Sequence, residues 1–140
     1  MSMNIKCKLE GGAIMPIRKT PGSAGYDLFS TSRMILPPGK HTMVTTGVCL
    51  EIPDGFYAQI FGKSTLALKY GINPLGGVVD GDYRGPIMVI LANFGRHNFE
   101  INEGDPIAQF IILPYSNLKF ELVSELSHSD RSDDPPLSLN

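Results

Sequence analysis

Short segments that alternate apolar and polar residues recur along the chain and predict β-strands. The segments "MNIKCKLE", "HNFEINEG" and "LKFELV" place an apolar side chain at every second position, which is the pattern of a strand with one buried face. Two continuous apolar runs, "PIMVILANF" and "IAQFIIL", are typical of central strands that are covered on both faces. Turn-forming clusters such as "IPDG" and "NEGDP" separate these segments at short intervals. The whole pattern predicts an all-β sandwich or barrel.

One stretch, "GKSTLALKYG" at residues 62–71, departs from the strand pattern. Ser64 or Thr65 could be the N-cap of a short helix through residues 66–69, since a side-chain oxygen there accepts a hydrogen bond from a free backbone N–H. Gly71 stands where helices commonly end in the left-handed conformation. We therefore expect one short helix in an otherwise β protein.

The segment "GGVVDGDYRG", residues 76–85, is a candidate for both a turn and a site. Asp-Gly between two strand-like runs is the strongest local signal for a β-hairpin, and a hairpin without chemistry would account for it. The same ten residues also place two carboxylates and an aromatic ring beside glycines, which permit a close approach of the backbone. The rest of the chain has to decide between these two interpretations.

Length and charge exclude several classes of partner. The chain has 140 residues, enough for one domain with a buried core, and its net charge is −2. That charge gives no electrostatic basis for binding a nucleic-acid polymer or an anionic membrane. The apolar runs are too short to span a bilayer, and the first residues, "MSMNIKCKLEGG", lack the apolar stretch of a signal peptide. We expect an intracellular protein, cytoplasmic or nuclear, that is not secreted.

Cysteine and histidine are too few and too scattered to indicate a disulfide framework or a structural zinc site. Cys7 and Cys49 are expected to be reduced and mostly buried thiols. Near the end of the sequence the composition changes to Ser, Asp and Pro with isolated leucines, which offer little apolar surface to offset the entropy of ordering. We expect a β domain over residues 1–126 and a mobile acidic tail over residues 127–140.

Four stretches carry side chains suited to a phosphate ester. Asp27 lies in "AGYDLFS", and Lys63, with the serine after it, lies at the predicted helix start, where free backbone N–H groups suit a phosphate. The ten-residue segment adds Asp80 and Tyr83, and "EGDPIAQF" adds Gln109, a lone polar residue in an apolar strand. Each alone has a structural explanation, such as a turn acid, a helix cap or an amide that is satisfied by a neighbouring backbone group. Together they indicate a site with a general base, a cation and a flat ring.

The order of these stretches resembles the trimeric dUTPase family, the dUTP pyrophosphatases. "AGYDL", "GKSTLA", "GGVVDGDYRG" and "GDPIAQ" are similar to the first four motifs of that family, and the likeness covers roughly residues 5–115. The resemblance implies a jelly-roll-like β subunit and a homotrimer with active sites at subunit interfaces. It also implies Mg²⁺-assisted hydrolysis of dUTP to dUMP and pyrophosphate by attack of water on the α-phosphorus. That activity limits uracil in DNA and supplies dUMP for dTTP synthesis.

The resemblance implies a role for each matching residue. Asp80 matches the carboxylate that orients and deprotonates the attacking water. Tyr83 matches the ring packed under the deoxyribose, where a 2′-hydroxyl would clash, and Asp27 matches an acid that reaches Mg²⁺ through water. The other matches are substrate contacts, namely the uracil edge at Gly77, Val78 and Val79, the phosphates at Lys63, Ser64 and Thr65, and the α-phosphate at Gln109.

Departures from the family pattern leave rival functions open. Lys63 stands where arginine is commoner, and Pro106 replaces a usually basic residue. The fifth motif of the family, a Gly-rich arm whose Phe closes over the nucleotide, is not recognisable. Arg131 is its one possible phosphate-binding remnant, and the aspartates around it would repel a triphosphate.

These departures leave three hypotheses about the function. The sequence favours an active dUTPase with an altered or absent lid. The alternatives are a non-catalytic, dUTPase-like trimer that binds nucleotide or signals, and a dCTP deaminase on the same fold. The "DGDYRG" segment with its tyrosine argues for the dUTPase over the deaminase.

Overall fold

The computed structural model describes residues 3–131, and within them it shows eleven β-strands and one short helix. All strand pairings are antiparallel. The elements in chain order are β1 (Lys6–Leu9), β2 (Tyr26–Phe29), β3 (Met34–Leu36), β4 (His41–Thr45), β5 (Val48–Glu51), β6 (Phe56–Phe61), α1 (Ser64–Tyr70), β7 (Ile72–Leu75), β8 (Val78–Val79), β9 (Met88–Asn93), β10 (Phe99–Ile101) and β11 (Pro106–Pro114). The all-β prediction with one short helix is confirmed.

Two sheets carry most of the strands. A four-stranded sheet has the order β2-β11-β6-β8, and a three-stranded sheet has the order β4-β9-β7. Two further pairs, β1 with β5 and β10 with β3, complete the arrangement. The two continuous apolar runs form β9 and β11, and each lies in the interior of its sheet. The predicted central position of both strands is therefore confirmed. β9 is buried over most of its length, whereas one face of β11 is only half-buried within this chain.

One apolar cluster forms the core and draws side chains from both sheets and from both strand pairs. Its buried members are Leu28, Leu36, Val44, Val48, Leu50, Ile52, Ala58, Ile60, Ile72, Ile87, Val89, Leu91, Ile101, Ile107, Ala108 and Phe110. On the four-stranded sheet these residues occupy alternate positions of β2 and β6, and of β11 from Ala108 onward, after a register shift between Pro106 and Ala108. The opposite face of that sheet is therefore left for other contacts.

The short helix is confirmed, but its predicted N-cap is wrong. The N-cap is Lys63, with an extended backbone (φ −101°, ψ 124°) and no side-chain capping hydrogen bond. Ser64 and Thr65 are therefore already inside the first turn, where their hydroxyls cannot cap it. Gly71 ends the helix in the left-handed conformation (φ 69°), as predicted.

The ten-residue segment 76–85 contains the predicted turn but not the predicted hairpin. The N–H of Tyr83 donates to the carbonyl of Asp80 over 3.1 Å, which closes a β-turn. The strands on either side do not pair with each other, because β8 pairs with β6 while β9 pairs with β4 and β7. The chain crosses from one sheet to the other at this turn.

The alternating segment "LKFELV" is not a strand, so that prediction is wrong. Residues 117–122 are irregular, and the side chains of Phe120 and Leu122 are fully exposed. The last backbone contact before this segment joins the Tyr115 N–H to the Gly55 carbonyl. Alternation indicates one apolar face, and within residues 3–131 no neighbouring strand covers that face. Of the predicted tail, residues 127–131 are exposed, and residues 132–140 lie outside the described residues.

The two cysteines are free thiols. Cys49 is buried and Cys7 is half-buried, and burial is the main cause that raises the pKa of each thiol above its usual value. Both thiols are therefore protonated at neutral pH. Within residues 3–131, every helix is too short or too polar to cross a membrane.

Candidate active site

One face of the four-stranded sheet points away from the core and carries several of the predicted site residues. In the strand register, Asp27 of β2 lies opposite Gln109 of β11, and Gln109 lies opposite Phe61 of β6. Residues opposite each other point to the same face, so these three form a row across the sheet. Two residues back along β6, Gln59 lies opposite Val78 of β8. We call the surface formed by these five residues the outer face.

An ion pair lies at the Asp27 end of this row. The Lys63 Nζ atom lies 2.5 Å from Asp27 Oδ1, and only 24% and 17% of the two side chains are exposed. A charge-assisted hydrogen bond of this length, largely shielded from water, is stronger than an ordinary surface pair. Lys63, which was predicted to contact phosphate, and Asp27, which was predicted to reach Mg²⁺ through water, are therefore paired with each other in this chain.

Gln109 has a backbone partner beside the same ion pair. Its Nε2 atom donates to the carbonyl oxygen of Gly62 over 2.9 Å, and Gly62 directly precedes Lys63. The structure therefore shows the hydrogen bond to a neighbouring backbone group that would by itself account for a polar residue at this position. Ser64 and Thr65 follow Lys63 along the chain, and both residues are exposed.

Asp80 and Tyr83 form a second group, at the turn after β8. Asp80 is exposed, and within residues 3–131 its carboxylate has no hydrogen-bond or ion-pair partner. The Tyr83 hydroxyl donates to the Pro86 carbonyl over 2.8 Å, which fixes a ring that is 43% exposed. A cavity of about 200 Å³ lies here, lined by Val78, Val79, Asp80, Tyr83, Ile87 and Met88. A second cavity of about 700 Å³ shares Val78 and Asp80 with it.

Gly77 has to be glycine for reasons of both conformation and space. Its φ of +119° is one that side-chain-bearing residues rarely adopt, and an added Cβ would lie 2.9 Å from the Ile60 carbonyl oxygen. The Gly77 carbonyl accepts a hydrogen bond from the Ile60 N–H over 2.8 Å. The sheet therefore uses this carbonyl, and β8 is an edge strand that pairs only with β6 within residues 3–131.

The two groups lie at opposite ends of the outer face. Gln109 pairs with the last residue of β6, whereas Val79, which precedes Asp80, pairs with Ala58 near the beginning of β6. Strand and residue spacings put the backbones of Gln109 and Asp80 roughly 16 Å apart. The Gln109 amide also points to Gly62, beyond the end of β6. One chain therefore does not bring all the predicted residues together.

Two glycines beside the site were missed by sequence reasoning. Gly62 binds the Gln109 amide, and Gly25 is buried under the Gln109 side chain. Each stands within two residues of a predicted site residue, which is a signal that could have found them. Arg131 lies exposed in the last described turn, and no hydrogen bond or ion pair within residues 3–131 joins it to the other predicted residues.

The carboxylates of the site do not form a metal-binding cage. Within the described residues, no three side chains of His, Cys, Asp or Glu come close enough to hold a metal ion. Mg²⁺ commonly binds through one or two carboxylates, several waters and the phosphates of the substrate. Asp27 is a single carboxylate of this kind, and the Lys63 ammonium lies beside it.

Comparison with known proteins gives one family. A family model described as dUTPase matches residues 12–136. The deoxyuridine 5′-triphosphate nucleotidohydrolase of Anaplasma marginale is 41% identical over 126 residues, which are 87% of this chain and 86% of that protein. The protein of the same name from Swinepox virus is 42% identical over 127 residues, which are 90% of this chain and 87% of that protein.

Solved structures show the same fold. A mutant dUTPase from phage 80alpha superposes with a TM-score of 0.89 at 23% identity, covering 96% of this chain and 98% of that chain. A mutant dUTPase from phage phi11 of S. aureus, described with a coordinated structural Mg(II) ion, gives a TM-score of 0.83 at 24% identity. That match covers 88% of this chain and 98% of the phage chain.

Proposed function

The chain belongs to the dUTPase family of dUTP-hydrolysing enzymes, and we propose that Asp80 is the general base of the reaction that it catalyses. The function that the site supports best is hydrolysis of dUTP to dUMP and pyrophosphate. The exposed Asp80 carboxylate, unpaired within residues 3–131 at the cavity beside Tyr83, carries this proposal. A carboxylate in such a position can accept a hydrogen bond from water, orient it towards the α-phosphorus and take its proton as the bond to the pyrophosphate oxygen breaks.

The cavity of about 200 Å³ is the proposed nucleoside site. Tyr83 would lie under the deoxyribose, since its ring is held in place by the hydroxyl bond to Pro86. A ring in that position leaves no room for a 2′-hydroxyl, so it selects dUTP over UTP. Gly77, Val78 and Val79 would bind the uracil edge through their backbone, chiefly through groups that β6 does not already use.

The group around Lys63 is the proposed phosphate site. The Lys63 ammonium has three donors, so it can hold Asp27 and a phosphate oxygen together. Ser64 and Thr65 would add hydroxyl donors, and Gln109 would donate the second N–H of its Nε2 atom to the α-phosphate. Mg²⁺ bound with the triphosphate would neutralise phosphate charge and reach Asp27 through water. The phage phi11 dUTPase, which has the same fold, is described with a structural Mg(II) ion.

We propose further that the active form is a homotrimer in which each site takes residues from more than one chain. The wide separation of Asp80 from Gln109 within one chain supports this arrangement. Exposed apolar side chains support it as well, because Phe61 and Val78 on the outer face and Phe120 in the irregular segment are uncovered. Large exposed apolar surface of this kind is usual where chains associate.

The test is pyrophosphate release from dUTP, UTP, dTTP and dCTP, with and without Mg²⁺. We expect fast release from dUTP alone and a requirement for Mg²⁺. Asp80→Asn keeps the shape of the residue but removes the base, so kcat should fall by at least about 100-fold while dUTP still binds. Asp54→Asn, an exposed carboxylate on the neighbouring cavity, is the matched control and should stay near normal.

Other outcomes would identify the alternatives. Near-normal turnover by the Asp80→Asn variant would exclude Asp80 as the base. Binding of dUTP without pyrophosphate release would indicate the non-catalytic module, and ammonia release from dCTP would indicate the deaminase. Sedimentation should give about three times the chain mass of 15.3 kDa, and an active monomer would contradict the shared site.

A further inference from the structure

We propose that Gly25 is a positioning residue for the phosphate site and that it acts through Gln109. The absence of a side chain at Gly25 creates the space in which the Gln109 side chain lies. Gln109 in turn fixes the peptide that precedes Lys63. This inference rests on the proposed function, because it assigns the phosphates of dUTP to the Lys63 group.

Gly25 is required for space rather than for conformation. It is buried, and its φ lies outside the left-handed range, so any residue could adopt its backbone geometry. An added Cβ, however, would overlap the Oε1 atom of Gln109 and lie 2.9 Å from its Cδ. The Gln109 amide would have to leave its position, because the backbone of β11 is fixed by β2 and β6 on its two sides.

The position of that amide decides the orientation of the Gly62–Lys63 peptide. Gln109 Nε2 donates to the Gly62 carbonyl over 2.9 Å, and this carbonyl belongs to the same planar peptide as the Lys63 N–H. On its other side, Gly62 packs against Asn73, since an added Cβ at Gly62 would overlap Asn73 Oδ1. The peptide is therefore held between a hydrogen bond and a close contact.

The orientation of this peptide determines where the Lys63 side chain, and therefore its ammonium charge, lies. Lys63 is the N-cap of α1, and its carbonyl accepts the Ala67 N–H over 3.0 Å. Its side chain reaches Asp27, which lies opposite Gln109 in the sheet. A displaced amide would release the peptide, and the ammonium and the following hydroxyls would then lose their fixed geometry. The nucleoside site around Tyr83 lies at the other end of the outer face and would keep its geometry.

The experiment compares Gly25→Ala with Gly22→Ala. Gly22 is the matched control, because an added Cβ there meets nothing within 4 Å and its φ is also ordinary. We expect Gly25→Ala to lower kcat/KM for dUTP and the affinity for a non-hydrolysable dUTP analogue by about 10- to 100-fold. This is the range for loss of one hydrogen bond to a charged group, here a phosphate of the ligand. Inhibition by deoxyuridine, which has no phosphate, should change by less than about 3-fold. Equal losses for both ligands, or none for either, would overturn the proposal.

A double variant tests whether the effect passes through Gln109. In a Gln109→Ala background the overlaps with Oε1 and Cδ disappear, and only a contact of 3.2 Å with the Gln109 Cβ remains. Adding Gly25→Ala there should cost less than about 2-fold, and a second full loss would contradict the proposal. If Gly25→Ala alone does not fold, the Gln109→Ala background should restore folding. Failure of the double variant to fold would equally reject the proposal.

The outcomes separate this proposal from the proposed function. If the unaltered chain does not hydrolyse dUTP, the catalytic assignment fails, and the analogue-binding comparison of Gly25→Ala with Gly22→Ala still decides about positioning. If the unaltered chain is active and Gly25→Ala behaves like Gly22→Ala, the positioning role alone is wrong.

Discussion

Separating Lys63 from Asp27 should cost more than breaking any of the exposed ion pairs of the described chain. At 2.5 Å and an effective dielectric constant of about 20, the attraction between the two charges is about 7 kcal/mol. Loss of hydration cancels much of this. With 24% and 17% of the side chains exposed, the pair lies between surface pairs, worth about 0–1 kcal/mol, and buried pairs, whose disruption costs about 3–5 kcal/mol. We expect a coupling free energy of about 2 kcal/mol.

The assay is a double-mutant cycle of urea unfolding with Asp27→Asn, Lys63→Met and both together. All four proteins are compared at one chain concentration, because the stability of an oligomer depends on it. The matched control is the Arg33–Glu100 pair, 3.1 Å apart with 75% and 53% of the side chains exposed. Its coupling should be below about 0.5 kcal/mol and should vanish in 1 M salt. An Asp27–Lys63 coupling no larger than the control would refute the reasoning.

Three further predictions concern other parts of the chain. Tyr83→Ala should narrow the preference for dUTP over UTP, as measured by the two kcat/KM values. Tyr83→Phe keeps the ring but loses the bond to Pro86 that fixes it, so it should narrow the preference less than Tyr83→Ala. Removal of residues 127–140, which carry three aspartates and one arginine, should change kcat/KM for dUTP by less than about tenfold, or about 1.4 kcal/mol. Complete loss of activity would instead indicate that the tail is a divergent fifth motif, with Arg131 as its candidate phosphate ligand. Because burial raises the pKa of Cys7 and Cys49, the folded chain should react slowly with a thiol reagent at pH 8. Its stability should fall as the pH rises through the unfolded-state thiol pKa, since the unfolded chain then loses protons first.

The elements that could be predicted from sequence are those whose signal is local. The continuous apolar runs of β9 and β11 and the glycine that ends α1 each specify their own conformation. The pairing of β8 with β6 could not be predicted, because the turn after β8 looks the same whether the next strand returns beside it or crosses to the other sheet. Residues 117–122 alternate like a strand, yet alternation cannot say which chain supplies the covering surface.

Site residues were found by type and motif, but their contacts were not. Lys63 and Asp27 are 36 residues apart in sequence, and Gln109 and Gly62 are 47 apart. Only the register of β2, β11 and β6 brings them into one row. The sequence around Lys63 therefore gives no indication that the Asp27 carboxylate already binds its ammonium.

The distance between Asp80 and Gln109 within one chain has a genetic consequence. If each site takes these two residues from different chains, a chain lacking Asp80 and a chain lacking Gln109 can complement each other in a mixed trimer. With equal amounts and random assembly, about a quarter of the sites would receive both intact residues. Two inactive alleles would then give an active enzyme in one cell. Conversely, a single defective allele would reduce the activity of trimers that also contain normal chains.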